Sequence, residues 1–244
     1  MLFFAALIAL AGAPDWSIIS GDELRHGAEQ GIPAAQHEWA QAMSLDDYSP
    51  EGMKPDVEAQ FLAWEGKSAD QGYGPAFMGV VNHYRATNRY AQAIPWLRRG
   101  AEAGYAECQR KFGTALEEGE ETAKDEAAAL GWYRKAAAQG DMEAEASLGE
   151  CLFYGHGGPA DEKSAVVHLR TAANHLQVTA GRILASAYAE GRGVKQDDVE
   201  AYFWAMLEWG ANEPLTQQLA ARLAPAQRDA VQARVDAYLR DLKP

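Results

Sequence analysis

The side chains that could support catalysis or phosphate binding are few in this 244-residue chain. Asp125, Asp161 and Asp197 recur every 36 residues, and carboxylates are common general acids and bases. Because they recur once per interval, we expect them to cap helices rather than to converge on a substrate. Residues 66–68 (Gly-Lys-Ser) resemble the end of a phosphate loop, but Phe61 stands where that loop needs a glycine. Residues 155–158 (Gly-His-Gly-Gly) form a glycine-rich turn without the other parts of a dinucleotide-binding motif.

Candidate metal ligands are also sparse. The chain has six histidines and two cysteines, and it lacks the His-Glu-x-x-His and Cys-x-x-Cys spacings of zinc sites. His168 and His175 are seven residues apart, but His168 occupies a position that Trp132 and Trp204 fill 36 residues away on either side. Because tryptophan fills the equivalent position in the neighbouring repeats, we expect His168 to pack in the core and not to bind a metal. We therefore predict that the protein is not an enzyme and has no metal site and no cofactor.

A 36-residue repeat accounts for the aspartates and glycines. The small and apolar residues of residues 136–157 return in the same register at 172–193 and at 100–121. A 32-residue unit and a degenerate unit extend the repeats upstream, to cover about residues 31–212. In the 36-residue units an apolar stripe predicts a first helix that ends at a glycine. Asp197 followed by Glu200 then predicts an N-cap with a capping box. The sequence therefore predicts an all-α solenoid of about five helical hairpins.

The repeat also resembles a known family. Its pattern, Leu-Gly-x-x-Tyr-x-x-Gly-x-Gly-Val-x-x-Asp-x-x-x-Ala-x-x-Trp-x-x-x-Ala-Ala-x-x-Gly, is similar to the Sel-one-like repeats, which are relatives of the tetratricopeptide repeats. The best matches lie at residues 148–173 and 184–204, whereas in the preceding unit Glu121 replaces the second glycine of the loop. The resemblance implies a right-handed α/α superhelix that acts as a protein–protein scaffold, often in the bacterial periplasm, without shared catalytic residues.

Residues 1–11 are predicted to be a signal peptide. The apolar run 2–11 is too short to span a bilayer and has the length of a signal-peptide core, with a small-residue cleavage site before Gly12. No basic residue precedes it, so a leader that packs on the first helix is the alternative. We predict a periplasmic or secreted protein without a transmembrane anchor, with the repeats in residues 12–212.

Residues 213–244 are predicted to form a C-terminal helical cap. Pro214 and Pro225 suit the first turns of two helices. The second helix carries an apolar stripe that suits packing on the last repeat. Its residues are Val231, Val235, Tyr238, Leu239 and Leu242. A helix that binds a partner is the alternative.

The cysteines are predicted to be two buried thiols without a disulfide. The register places Cys108 and Cys151 on the first helices of adjacent repeats, seven positions out of step. Their α-carbons should then be too far apart for a disulfide.

The distribution of charge limits the kinds of partner that the chain can bind. The chain has 35 acidic against 22 basic residues, a net charge of −13, which argues against nucleic-acid binding. Residues 85–111 are locally basic, and Arg98 with Arg99 could attract an anionic partner on the second-helix face.

The first helices are expected to line the binding groove, an assignment that follows from the tetratricopeptide resemblance. Glutamates dominate the centre of this groove, so a basic segment of another envelope protein is the expected partner. Phe153 and Tyr154 are the candidate aromatic anchors for that segment. The expected groove residues are Arg85, Glu107, Arg110, Glu117, Glu118, Glu143, Glu150, Phe153, Tyr154, Arg182 and Glu190. Two alternatives remain: these are ordinary exposed residues, or the protein is a cell-wall-fragment or β-lactam-type ligand-binding protein or hydrolase.

Overall fold

The computed structural model describes residues 20–46, 53–119, 121–175 and 178–241, and every regular element in these ranges is an α-helix. This confirms the all-α prediction. The segment predicted to be a signal peptide lies outside the described residues. The chain divides into two compact units, Met1–Cys108 and Gln109–Pro244. No helix of the described residues combines the length and apolar composition needed to cross a membrane.

The first unit consists of paired helices. Its helices are α1 (Gly21–Glu29), α2 (Pro33–Asp46), α3 (Pro55–Asp70), α4 (Gly74–Ala86), α5 (Tyr90–Glu102) and the first residues of α6 (Ala106–Glu118). Helix α2 packs on α3, and α4 packs on α5. Val80, Val81 and Leu97 are almost fully buried, which is how the apolar stripe of each helix stabilises the unit.

The second unit continues from α6 into three hairpins and a C-terminal pair of helices. Its further helices are α7 (Glu126–Ala137), α8 (Met142–Tyr154), α9 (Glu162–Ala173), α10 (Val178–Glu190), α11 (Asp198–Trp209), α12 (Pro214–Arg222) and α13 (Pro225–Asp241). Ring contacts join α6 to α7, α8 packs on α9, and α10 packs on α11. Leu148, Leu169 and Leu184 lie in the core.

The repeated aspartates cap the second helices, as predicted. The side chain of Asp125 accepts a hydrogen bond from the Ala128 main chain, and Asp161 and Asp197 cap α9 and α11 in the same way. The capping box at Asp197 is not formed, so that part of the prediction is wrong. The Asp197 main-chain N–H donates to the Tyr188 carbonyl at 3.0 Å instead of to Glu200. The Glu200 carboxylate pairs with Arg234.

The loop before each capped helix depends on a left-handed residue. Gly157 has φ +74° and lies so close to α7 that an added Cβ would come within 2.2 Å of the Glu126 carbonyl oxygen. Gly193 repeats this contact against Glu162, 36 residues later. In the preceding repeat the equivalent residue is Glu121, which keeps the left-handed conformation with φ +56°. The departure from the family pattern at this position therefore changes the residue without changing the local backbone conformation.

The C-terminal helices begin at Pro214 and Pro225, as predicted. Helix α13 buries Val231 and Val235, and the Tyr238 hydroxyl donates to the Ala173 carbonyl at 2.7 Å. Its Arg234 guanidinium lies 3.7 Å from the ring centre of Phe203 on α11. These contacts confirm the cap on the last repeat. The prediction for Leu239 is wrong, because its position turns the side chain towards solvent and leaves it 46% exposed. Leu242 lies outside the described residues.

Cys108 and Cys151 are both buried and neither forms a disulfide, as predicted.

Candidate functional site

The expected groove residues lie on four first helices. Helix α4 carries Arg85 and α6 carries Glu107, Arg110, Glu117 and Glu118. Helix α8 carries Glu143, Glu150, Phe153 and Tyr154, and α10 carries Arg182 and Glu190. Seven of these side chains are exposed and three are half-buried, namely Arg110, Glu117 and Glu150. The remaining one, Phe153, is buried.

Phe153 cannot act as an exposed anchor, so that prediction is wrong. Its ring is 1% exposed because the Arg192 guanidinium of the next repeat lies over it, 4.1 Å from the ring centre. Tyr154 packs edge-on against Phe153, with ring centres 5.2 Å apart, and is itself 50% exposed. Tyr154 is therefore the exposed aromatic ring of this pair.

Arg110 is held by acidic neighbours in its own unit. Its Nη1 lies 2.7 Å from Glu143 Oε2, and its Nε lies 3.1 Å from Asp141 Oδ1. Asp141 is also the N-cap of α8. Because the charges of Arg110 and Glu143 compensate each other, the net negative charge of the expected groove lies elsewhere.

Glu117 is the centre of a polar cluster in the second unit. Its Oε2 accepts a 2.7 Å hydrogen bond from the Tyr133 hydroxyl. Its Oε1 lies 3.6 Å from Cys151 Sγ and 3.9 Å from His156 Nδ1. Burial raises the pKa of the Cys151 thiol to about 12, and the Glu117 carboxylate contributes to this shift. The thiol is therefore protonated at neutral pH in the absence of a cation.

Glu117, Glu150 and Arg182 are electrostatically coupled. Burial raises the pKa of Glu150, the negative charge of Glu117 adds to the shift, and Arg182 opposes it. Two predicted groove carboxylates thus repel each other beside one predicted groove arginine. This arrangement attracts a further positive charge.

The first unit contains a cavity of about 680 Å³. Glu107 of the expected groove lines it, together with Met78 and Asn82. His37 and Gln41 also line it, and both contact the fully buried carboxylate of Glu65.

The Glu65 carboxylate is held by hydrogen bonds from two side chains. His37 Nδ1 lies 2.8 Å from Oε2, and Gln41 Nε2 donates to Oε1 at 2.6 Å. Burial raises the pKa of Glu65, and these two hydrogen bonds oppose the shift. The carboxylate is therefore a satisfied buried group at the edge of a cavity.

Four stretches of the chain match the Sel1 repeat family: residues 86–105, 106–141, 143–175 and 182–205. These four stretches are similar to Sel1 repeats. This confirms the Sel-one-like resemblance. Sel1 repeats generally form scaffolds for protein–protein interactions and are typically non-enzymatic.

Two solved structures share the fold. One is a protective antigen present in uropathogenic Escherichia coli strains and displaying an SLR fold. The TM-score is 0.70 at 28% identity, over 83% of this chain and 44% of that one. The chain thus covers less than half the length of the antigen. The other is a Sel1 repeat protein from Oxalobacter formigenes, with a TM-score of 0.62 at 25% identity over 86% of this chain and 87% of that one. No curated protein matches the chain.

Several residues of the site could not be read from the Sel1 pattern. Tyr133 lies on a second helix, outside the expected groove, yet its hydroxyl contacts Glu117. Glu208, also on a second helix, has a pKa raised to about 7 by burial, which Arg182 opposes. Such contacts join different helices, so the spacing of residues within a repeat does not predict them.

One group of side chains in the described part of the chain brings metal-ligand atoms together. Glu117, Cys151 and His156 each offer one ligand atom, and these three atoms lie within 4.8 Å of one another. The members of this group do not follow a zinc-motif spacing, so the sequence alone does not reveal it.

Proposed function

We propose that this Sel1-repeat protein is a non-enzymatic interaction scaffold of the bacterial cell envelope, which binds a basic segment of another protein on the first-helix face of its second unit. The observation that carries this proposal is the half-buried carboxylate of Glu150 on α8, one helical turn before the exposed ring of Tyr154. A lysine or arginine of the partner would pair with the Glu150 carboxylate. Tyr154 would supply apolar contact beside it.

Long-range attraction supports the choice of a basic partner. The net charge of −13 and the acidic groove both favour encounter with a positive segment. Arg110 and Glu143 compensate each other and contribute little to this field. Binding should therefore be faster at low ionic strength and should slow as salt is added.

The test is the double variant Glu150→Lys with Tyr154→Ala, assayed for capture of the partner. We expect binding to fall at least tenfold while helical content and melting temperature stay nearly unchanged. The matched control is Glu102→Lys with Tyr90→Ala, which makes the same two changes at exposed positions of the second helix α5. Full binding by the α8 variant together with loss in the α5 variant would contradict the proposal and favour the second-helix face near Arg98 and Arg99.

The proposed location is the periplasm or the extracellular space. The apolar run of residues 2–11 and the small-residue site before Gly12 support export. Cell fractionation followed by mass spectrometry of the mature N-terminus tests this, with Gly12 expected as the first residue. A full-length protein in the cytoplasmic fraction would contradict it.

A second candidate function is binding or hydrolysis of a cell-wall fragment or β-lactam-type ligand. The 680 Å³ cavity of the first unit favours it, because His37, Gln41 and Asn82 offer polar groups beside apolar walls. A thermal-shift screen with muropeptides and β-lactams tests it. A large shift that is lost in a Gln41→Ala variant would support this function over the scaffold.

A further inference from the structure

We propose that Glu117, Cys151 and His156 form a Zn²⁺ site that joins two consecutive Sel1 repeats of the second unit. Glu117 comes from the end of α6, Cys151 from α8 of the next repeat, and His156 from the loop that follows α8. Thiolate, imidazole and carboxylate are the ligand types that zinc accepts in proteins.

The distances between the ligand atoms suit a tetrahedral ion. Zinc bonds of about 2.0–2.3 Å place neighbouring ligand atoms roughly 3.3–3.7 Å apart. Glu117 Oε1 lies 3.6 Å from Cys151 Sγ and 3.9 Å from His156 Nδ1. The Cys151 and His156 ligand atoms lie within 4.8 Å of each other, so these two side chains must adjust when the ion binds. Three protein ligands leave a fourth position for water or for a donor atom of a partner.

Two tyrosines hold the ligands in place. The Tyr133 hydroxyl donates to Glu117 Oε2, which leaves Oε1 directed towards Cys151 and His156. The ring of Tyr154 stacks on the His156 imidazole, with centres 5.7 Å apart and an interplanar angle of 25°. A hydrogen bond such as that from Tyr133 orients a metal ligand and commonly adds to metal affinity.

The next repeat provides an internal comparison. A shift of 36 residues takes Glu117 to Phe153, Cys151 to Ala187 and His156 to Arg192. There the Arg192 guanidinium covers the Phe153 ring, and Ala187 is buried. The same junction between repeats can thus be filled without a thiol, a carboxylate and an imidazole. The combination of three ligand types belongs to this junction and is not a requirement of the repeat.

Binding converts the thiol into a thiolate. The Cys151 S–H bond breaks, the sulfur forms a bond to Zn²⁺, and the proton passes to solvent. No oxidant or reductant is needed. Affinity should therefore increase with pH.

The test uses Co²⁺ as an optical substitute for Zn²⁺. The ion is added to the full-length chain, which is produced without a histidine tag. A cysteine thiolate bound to Co²⁺ gives a charge-transfer band in the near ultraviolet. We expect one equivalent of Co²⁺ to produce this band and Zn²⁺ to abolish it. Cys151→Ser should remove the band, whereas Cys108→Ser, which changes the other buried cysteine, should retain it.

Two further variants keep the test decisive if Cys151→Ser fails to fold. His156 is 45% exposed at its side chain, so His156→Ala should fold normally and weaken Zn²⁺ binding at least tenfold. Tyr133→Phe should weaken it about tenfold by releasing the Glu117 carboxylate. Absence of the band in the unmodified chain would overturn the proposal. So would a band that persists in Cys151→Ser, or unchanged affinity in His156→Ala.

Discussion

The guanidinium of Arg192 lies 4.1 Å from the ring centre of Phe153, so that a loop residue of one Sel1 repeat covers an aromatic residue of the repeat before it. Arg192 is also paired with Glu162 at 2.8 Å. This contact excludes Phe153 from the solvent-facing part of the groove. It also helps to join the two repeats, because solenoid stability depends on contacts between neighbouring repeats.

Arg192→Ala should therefore destabilise the second unit by about 1–2 kcal/mol, the sum of a partly buried cation–π contact and an ion pair. Urea unfolding followed by circular dichroism measures the change. Arg228→Ala, at an exposed position of α13, is the control and should stay within about 0.5 kcal/mol of the unmodified chain. Equal stability of the two variants would contradict the role assigned to Arg192.

Asp197→Ala should cost about 1 kcal/mol of stability, because the first main-chain N–H groups of α11 lose the acceptor that now lies 2.9 Å from Val199 N. Asp197→Asn retains an oxygen acceptor and should lose much less. Parallel urea titrations of the two variants test this. A loss in Asp197→Asn as large as in Asp197→Ala would attribute the effect to charge rather than to capping.

Glu208 should make stability depend on pH. Burial raises its pKa in the folded chain to about 7, above the ordinary value of 4.5. Glu208 therefore binds its proton more tightly in the folded chain than in the unfolded chain. The stability that this tighter proton binding gives the folded chain is fully present below pH 4.5 and is lost as the pH rises through about 7.

Glu208→Gln should remove this pH dependence and raise the melting temperature at pH 8. The gain should be on the order of 1 kcal/mol or less, because solvent screens a half-buried carboxylate. Melting curves of both proteins between pH 4 and pH 9 measure it. Parallel pH profiles for the two proteins would show that Glu208 titrates normally.

Deletion of residues 214–244 should expose the face of α11 that now packs against α13. Phe203 would lose Tyr238, whose ring centre lies 6.0 Å away, and Arg234. We expect partial unfolding that begins at α10 and α11, or aggregation. Native-state hydrogen exchange should show faster exchange in those helices while α8 changes less. Exchange rates unaffected by the deletion would refute the capping role.

The 36-residue register of the repeats predicted most of the fold. It placed Asp125, Asp161 and Asp197 at helix starts because a cap depends only on local sequence. It failed for Phe153, whose exposure is decided by the side chain that the next repeat supplies. It also failed for Glu200, which has Arg234 as a stronger partner than the main chain of its own helix. Contacts between repeats and with the cap depend on side-chain reach, which spacing alone does not determine.

The most direct test of the proposed scaffold is site-specific crosslinking in cells. A photo-crosslinking phenylalanine analogue is placed at position 154 on α8, and at position 90 on α5 as the control, because both tyrosines are about half exposed. If α8 binds a basic segment, position 154 should crosslink to one envelope protein through a peptide rich in lysine or arginine. Position 90 should give no such product. A crosslink to that protein from position 90 and none from position 154 would contradict binding on the first-helix face.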